Sequence, residues 1–359
     1  MPQVVAMAEQ LLAPVPGGTG RYARELLRAM AATVPDGWAL STVVSASGNP
    51  RAAEIPGIGA PRVLRLPRRA LISAWEHGLP PAIGGDAVHA PTPLAPPRGR
   101  TVVTVHDAVP WTHPETLTPR GVRWHRKVVT RAARSAAALV VPTRAVADEL
   151  AAHVDITVPV QVIGEGVAPV LTRAASSPLT ERLPARYVLG VGTIEPRKGF
   201  DDLVRAMALT PAPDLPVVLA GQPGWGAVDL HTVARENGLD PRRLHVLGRV
   251  DDTDLAAVLR QASVLAAPSL AEGFGLPVLE AMAAGVPVVH SDAPALAEVT
   301  GGAGITVARR DTAALAEALR DAVRDPAPLI ERGRRQAAHY TWEQAARAVW
   351  QLHLRVASR

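Results

Sequence analysis

Short apolar runs alternate with stretches of helical period along this chain, and the alternation passes through two full cycles. That rhythm constrains the fold more than any other feature, because strands separated by helices pair in parallel and bury both faces of their sheet. In the first cycle VVAMAEQLL reads as a strand, PVPGG as a turn, and RYARELLRAMAATV as a helix with Ala23, Leu26, Leu27, Met30 and Val34 on one face. The runs ALSTVVSA, AVHAP, TVVTVHD, ALVVPT and VQVIG continue it. A second cycle opens at RYVLGVGT and proceeds through LPVVLAG, LHVLGRV, SVLAAPS, VPVVHSD and ITVA. The stretch 171–186, rich in small residues and proline, reads as a connection. At the end of the chain, Thr341 and Gln344 form a capping-box pattern ahead of an apolar face made by Trp342, Ala345, Ala346, Val349 and Trp350. The expected organisation is α/β: an N-terminal unit over 1–170, the connection 171–186, a C-terminal unit over 187–339, and a helix at 340–359 packed back on the first unit. Two doubly wound sheets of this kind, facing a cleft, present their strand C-terminal ends to it, the default place for a ligand.

The 359 residues include no cysteine, which excludes disulfides, thiolate metal sites and thiol nucleophiles. The N-terminal apolar run is too short for a signal peptide or a membrane span, so a cytoplasmic protein is expected. A net charge of +5 with 3% aromatic residues is a weak footprint for nucleic acid, and none is expected as a partner. Of 38 basic residues only Lys127 and Lys198 are lysines, so each marks a place where a compact ammonium stands in an arginine-rich chain.

Four segments could carry chemistry. Gly17 and Gly18, in PGGTGRY between the first strand and the first helix, let a ligand approach the backbone where a helix N-terminus favours an anion. Gly18, Gly20 and Ala23 also fit the dinucleotide pattern, but the next strand ends in serines, with no acid to hold a ribose. His106 stands at the C-terminal lip of TVVTV, and His89 has a similar place in AVHAP. Gly192-Thr193-Ile194-Glu195-Pro196-Arg197-Lys198-Gly199 puts a cation pair at the mouth of the second sheet, suited to a diphosphate. Glu272-Gly273-Phe274-Gly275-Leu276-Pro277, followed by Glu280 and Gly285, reads as a loop entering a helix whose first N–H groups can hold phosphate, with Glu280 one turn in. Taken singly, each segment has a plain structural explanation as a tight turn, a hydrogen-bonded histidine, a solvated basic turn or a first-turn glutamate.

Together and in this order, the segments resemble the retaining glycosyltransferases of family four, with the GT-B architecture of two Rossmann-like domains. The resemblance is strongest over GRVDDTDLAAVLRQASVLAAPSLAEGFGLPVLEAMAAGVPVVHSDAPALAEV, with Glu272 and Glu280 as its spaced glutamate pair. It implies that Glu280 holds the donor ribose and that Glu272 approaches the transferred sugar. Arg197 and Lys198 bind the diphosphate with Gly17 and Gly18, and His106 contacts the sugar. Backbone groups of Gly273, Phe274 and Gly275 line the sugar pocket, the helix N-terminus at Gly275 and Leu276 meets the diphosphate, and Arg249 and Val250 border the base. Many family members carry arginine where this chain has Thr193, which leaves the guanidinium to Arg197. GTIEPRK resembles a subgroup that includes mannosyltransferases of polysaccharide assembly. The implied reaction moves a hexose, mannose among the candidates, from a nucleotide-diphosphate sugar, with no metal and no other cofactor.

The implied acceptor is a glycan, a lipid-linked molecule or another hydroxyl compound. Arg120, Arg123, Lys127, Arg131 and Arg134 form a stripe over 120–134, opposite Val122, Val129 and Ala133. That stripe is expected either as a solvated face or as a peripheral contact with an anionic membrane at its inner face. A sugar-nucleotide epimerase and a non-catalytic nucleotide-sugar-binding protein are the alternatives.

Overall fold

The computed structural model describes residues 1–173, 176–224, 226 and 228–358. The chain divides into two compact units, one comprising Met1–Pro114, Pro119–Glu165 and Thr341–Arg359, the other Glu115–Thr118 and Gly166–Tyr340. In the first, β1 (Gln3–Met7), β2 (Ala39–Val44), β3 (Arg62–Val63), β4 (Ala87–Ala90), β5 (Thr101–Thr104), β6 (Ala138–Val141) and β7 (Val160–Val162) pair in parallel in the order β3-β2-β1-β4-β5-β6-β7. In the second, β8 (Val188–Val191), β9 (Val217–Ala220), β10 (Leu244–Gly248), β11 (Val264–Ala267), β12 (Val288–Ser291) and β13 (Ile305–Val307) pair in the order β10-β9-β8-β11-β12-β13. Their residues are mostly buried because helices cover both faces. Each sheet reverses its winding beside its opening strand, between β1 and β4 and between β8 and β11. The crevice outside the strand ends at such a reversal is where open α/β sheets take ligands.

Three details differ from the sequence reading. The strand expected over VVAMAEQLL stops at Met7, and Glu9–Leu12 winds into a 3-10 turn. The cause is Glu9, which is buried and accepts hydrogen bonds from the Ser45 backbone N–H (2.7 Å) and hydroxyl (2.9 Å), closing the end of β2. Second, β3 has no apolar signature, since both of its residues are exposed, and only its register with Val43 and Val44 makes it a strand. Third, the chain passes from the first unit to the second after Glu165, and 171–186 groups with the second unit. There Arg260 holds the carbonyls of Thr172 and Arg173, and the Ser177 hydroxyl donates to Asp254 at 2.5 Å. Ala174 and Ala175 of that stretch lie outside the described residues.

The helix Trp342–Ala357 starts with Thr341 accepting from the Gln344 N–H at 3.1 Å. It lies in the first unit against the helix Gly17–Ala32, where the Trp350 indole donates to the Met30 carbonyl at 3.0 Å. His89 is fully buried beneath it, 3.2 Å from His353, so it belongs to the core and not to a ligand site. Burial holds the His89 imidazole neutral, its pKa lowered to about 3.

Candidate functional site

In the second unit the site forms at the β8/β11 reversal. After β8 the chain makes the single 3-10 turn Pro196–Lys198 and leaves it through Gly199, whose φ of 65° is open to glycine. A Cβ at Gly199 would lie 2.3 Å from the Pro268 carbonyl oxygen, so only glycine lets this turn press against the segment after β11. The Leu270 N–H then donates to the Arg197 carbonyl at 2.7 Å, clipping the two loops together. The contact brings two cations to one carboxylate: Glu272 accepts from Lys198 Nζ at 2.5 Å, from Arg197 Nη1 at 3.1 Å and from the Ser269 hydroxyl at 2.7 Å.

The Arg197 guanidinium is held on its other edges as well. Its Nη2 and Nε donate to Glu195 at 2.7 and 3.1 Å, and Nη1 also reaches the Ala271 carbonyl at 2.7 Å. Glu272 has a side chain only 11% exposed. Burial alone would push its pKa up, but Lys198 and Arg197 beside it outweigh that, and it is held down to about 2. The carboxylate is therefore ionised throughout the physiological range and saturated with donors, a weak nucleophile in this state.

Next to it begins the helix Leu276–Ala284. Gly275 precedes it with φ 99°, and a Cβ there would meet Leu296 Cδ2 at 2.4 Å. Pro277 sits in the first turn and no side chain caps the helix, so the positive end of its dipole faces the loop that carries Glu272. Glu280 lies within this helix, 1% exposed. A small pocket is lined by Lys198, Ser269, Glu272, Gly275 and Pro277. Two cations, a helix N-terminus and an ionised carboxylate at one sheet reversal make an anion site with an acid beside it.

The first unit has its own edge site. The helix Gly17–Ala32 begins at Gly17 and Gly18, both exposed, with nothing within 4 Å of where a Cβ would stand. His106 lies just beyond β5, its side chain 14% exposed. Its Nε2 donates to the Pro91 carbonyl at 2.8 Å, its Nδ1 faces Glu165 Oε1 at 3.8 Å, and Tyr22 stands edge-on with ring centroids 4.6 Å apart. Burial lowers the His106 pKa, but Glu165 more than reverses this and the net shift is upward, toward an imidazolium.

Comparison with known proteins adds the following. Residues 16–170 match the family model described as Glycosyltransferase Family 4, and residues 185–325 match Glycosyl transferases group 1. A phosphatidyl-myo-inositol mannosyltransferase of Propionibacterium freudenreichii subsp. shermanii is 32% identical over 271 residues, covering 72% of this chain and 67% of that protein. The chain belongs to glycosyltransferase family 4. An O-antigen chain mannosyltransferase B of Escherichia coli is 37% identical over 163 residues, 44% of this chain and 42% of that protein, so the matched part is less than half of that relative. A sucrose-phosphate synthase from Thermosynechococcus elongatus superposes with a TM-score of 0.80 over 100% of both chains at 21% identity. The two Rossmann-like units of this family-four chain are those of the GT-B fold. The relatives are transferases, which does not favour the epimerase or the non-catalytic reading.

Of the residues singled out in the sequence, the structure brings Arg197, Lys198 and Glu272 into direct contact, with Gly275 among the residues lining the pocket beside them. Phe274 is buried edge-on against Tyr340, 5.4 Å between centroids, so only its backbone is available to a ligand. The Thr193 methyl lies against Gly224, in the loop after β9. Arg249 and Val250 follow β10, two strands away from β8, with Arg249 exposed. Sequence reasoning missed Ser269, Glu165 and Tyr22. Ser269 sits three residues before Glu272 and had a local signal; Glu165 and Tyr22 reach His106 only through the fold.

The basic helix Pro119–Ser135 is more engaged than its sequence suggests. Arg131 donates to the carbonyls of Trp75 and Glu76, Lys127 pairs with Glu76 at 3.3 Å, and Arg134 lies 3.6 Å from Asp155. Arg120 and Arg123 are exposed. No helix among the described residues is long and apolar enough to cross a membrane.

Proposed function

We propose that the protein transfers a hexosyl group, with retention and without a metal, from a nucleotide-diphosphate sugar to a hydroxyl of a glycan or lipid-linked acceptor. One observation carries the reading: at the β8/β11 reversal a buried, ionised Glu272 holds Lys198 and Arg197 beside an uncapped helix N-terminus. A diphosphate would compete with Glu272 for those two cations. Exchange of partners would release the Glu272 carboxylate to accept hydrogen bonds from the sugar hydroxyls. Glu280, a turn along the helix, is the carboxylate assigned to the ribose diol.

In the reaction, the bond between the anomeric carbon and the phosphate oxygen breaks and its electron pair stays on the diphosphate. Lys198, Arg197 and the helix N-terminus carry that charge in a poorly solvated pocket, where fixed donors stabilise it most. The acceptor oxygen bonds to the anomeric carbon from the same face, and its proton passes to the departing phosphate oxygen. His106, held toward its cationic form by Glu165, with Gly17 and Gly18, is what this reading takes from the first unit. Both relatives described above are named for mannosyl transfer, one of an O-antigen chain and one of a phosphatidylinositol, which supports mannose and a glycan or lipid acceptor. A peripheral contact with an anionic membrane would rest on Arg120 and Arg123, because the other three cations of the stripe have partners within the protein.

The test is a transfer reaction in chelator with GDP-, UDP-, ADP- and dTDP-hexoses, reading the anomeric configuration of the product by NMR. Transfer with the donor's configuration supports the reading. An inverted product, a trapped glycosyl-enzyme adduct, or turnover that stops in chelator would overturn its retention, its front-side step or its metal independence, respectively.

A further inference from the structure

In the second unit, the loop that carries Glu272 has a further anchor, which comes from the edge strand β13. Leu270 lies two residues before Glu272, and its carbonyl accepts from Arg309 Nη1 at 3.2 Å. Arg309 follows β13 and Leu270 follows β11, so the arginine reaches past the end of β12. Two strand spacings amount to about 10 Å, which a short side chain cannot bridge. At the end of β12, Asp292 steadies the reach. Its Oδ1 accepts from the Arg309 N–H at 3.0 Å and from Arg309 Nε at 2.8 Å, while the Asp292 N–H donates to the Val307 carbonyl at 2.8 Å. The next residue, Arg310, has a φ of 65°, a left-handed conformation that a non-glycine residue adopts rarely and keeps only where its surroundings fix it.

The Arg309–Asp292 pair is half-exposed, with side chains 39% and 46% accessible, and such a pair does little for stability. Its placement matters more. While Glu272 is bound to Lys198, Arg197 and Ser269, the carboxylate is held from three sides. Once a diphosphate takes the two cations, its position depends on the Ser269 hydroxyl and on the main chain of residues 269–271. Apart from the Arg197 guanidinium, that main chain is fixed by the Ser291 hydroxyl on the Ser269 carbonyl, by the Leu270 N–H on the Arg197 carbonyl, and by Arg309 on the Leu270 carbonyl.

We infer that Arg309, oriented by Asp292, is a positioning residue: it holds the 269–272 loop so that the Glu272 carboxylate meets the sugar hydroxyls after the cations have turned to the diphosphate. This rests on the reading of the β8/β11 crevice as the donor site. The signature is selective, because recognition of the sugar depends on Arg309 and recognition of the diphosphate does not.

Calorimetric titration of the full chain with GDP, UDP, ADP and dTDP, and with their hexose esters, tests the role. Arg309→Met removes the bonds to Asp292 and Leu270, so it should weaken the preferred nucleotide-hexose about three- to tenfold and leave the matching diphosphate within about twofold. Asp292→Ala should do the same, whereas Asp292→Asn keeps the Oδ1 acceptor and should bind as wild type does; these two carry the comparison if Arg309→Met fails to fold. Unfolding temperatures should stay within about 3 °C of wild type. Equal weakening of the diphosphate and its hexose ester, weakening of neither, or an Asp292→Asn that behaves as Asp292→Ala overturns the positioning role. Lys198→Ala, titrated alongside, separates this role from the reading beneath it. Weaker binding of both ligands by Lys198→Ala supports the donor site, so that indifference to Arg309→Met then overturns the positioning role alone; unchanged binding of both by Lys198→Ala overturns the donor site and the positioning role with it.

Discussion

Replacing Glu272 by glutamine keeps the shape of the side chain and removes the charge that Lys198 and Arg197 share. The ordinary carboxyl value is 4.5 and Glu272 is held down to about 2. That difference corresponds to roughly 3 kcal/mol of stabilisation from the ionised form, near the low end of what breaking a buried ion pair costs. For a unit of this size, it amounts to roughly 6–12 °C in unfolding temperature. The sign with pH is fixed: a carboxyl whose folded value is depressed contributes fully above its unfolded value and loses the contribution as pH falls through its folded value. Scanning calorimetry of wild type and Glu272→Gln should show the full gap at pH 7, the same gap at pH 5, and a gap closing between pH 4.5 and 2. The variant should also gain more stability than wild type from a nucleoside diphosphate lacking sugar, since the competing carboxylate is gone. Equal unfolding temperatures at pH 7, or a gap independent of pH, would refute the idea that Glu272 is the charge that organises this site.

Other consequences follow from the same geometry. Gly199→Ala places a methyl against the Pro268 carbonyl in a left-handed conformation, so donor binding should fall at least tenfold by calorimetry, with a stability loss of roughly 1–3 kcal/mol. His106 has its pKa raised through Glu165, so the pairing stabilises below the ordinary histidine value and is lost as pH rises through the raised one; Glu165→Gln should move the alkaline limb of the pH–rate profile to lower pH. His89, held neutral with a pKa of about 3, opposes folding progressively as pH falls below 6.5. His89→Leu should therefore flatten the loss of stability between pH 7 and 5, worth about 2 kcal/mol at pH 5 in urea unfolding.

Where local chemistry decides the structure, the sequence was readable. Pro277 entering a helix that stops at Gly285, Thr341 capping the terminal helix, and the apolar runs of both sheets all carry signals within a few residues. Arg197, Lys198 and Glu272 could be named as site residues, but not that they bind one another, because that contact depends on two loops meeting at a sheet reversal through Gly199. Glu165 was invisible for the same reason: it lies in the loop IGEGV, with no periodicity, and becomes meaningful only when β5 and the end of the first unit bring His106 beside it. Glu9 looked like part of a strand because its neighbours are apolar, and only its hydrogen bonds to Ser45 explain why the strand stops. The basic stripe over 120–134 was read as charge facing outward. Arg131 and Lys127 instead tie their helix to the neighbouring one, which the residue types alone do not reveal.

The measurement that tests the central claim most directly is calorimetric binding of GDP-, UDP-, ADP- and dTDP-hexoses in chelator, for wild type, Lys198→Ala and Glu280→Gln, with NAD as a control. The account predicts one preferred nucleotide, bound without metal and weakened at least tenfold by either substitution. Binding that is unaffected by both, or that is seen only with NAD, would contradict the assignment of the β8/β11 crevice as the donor site.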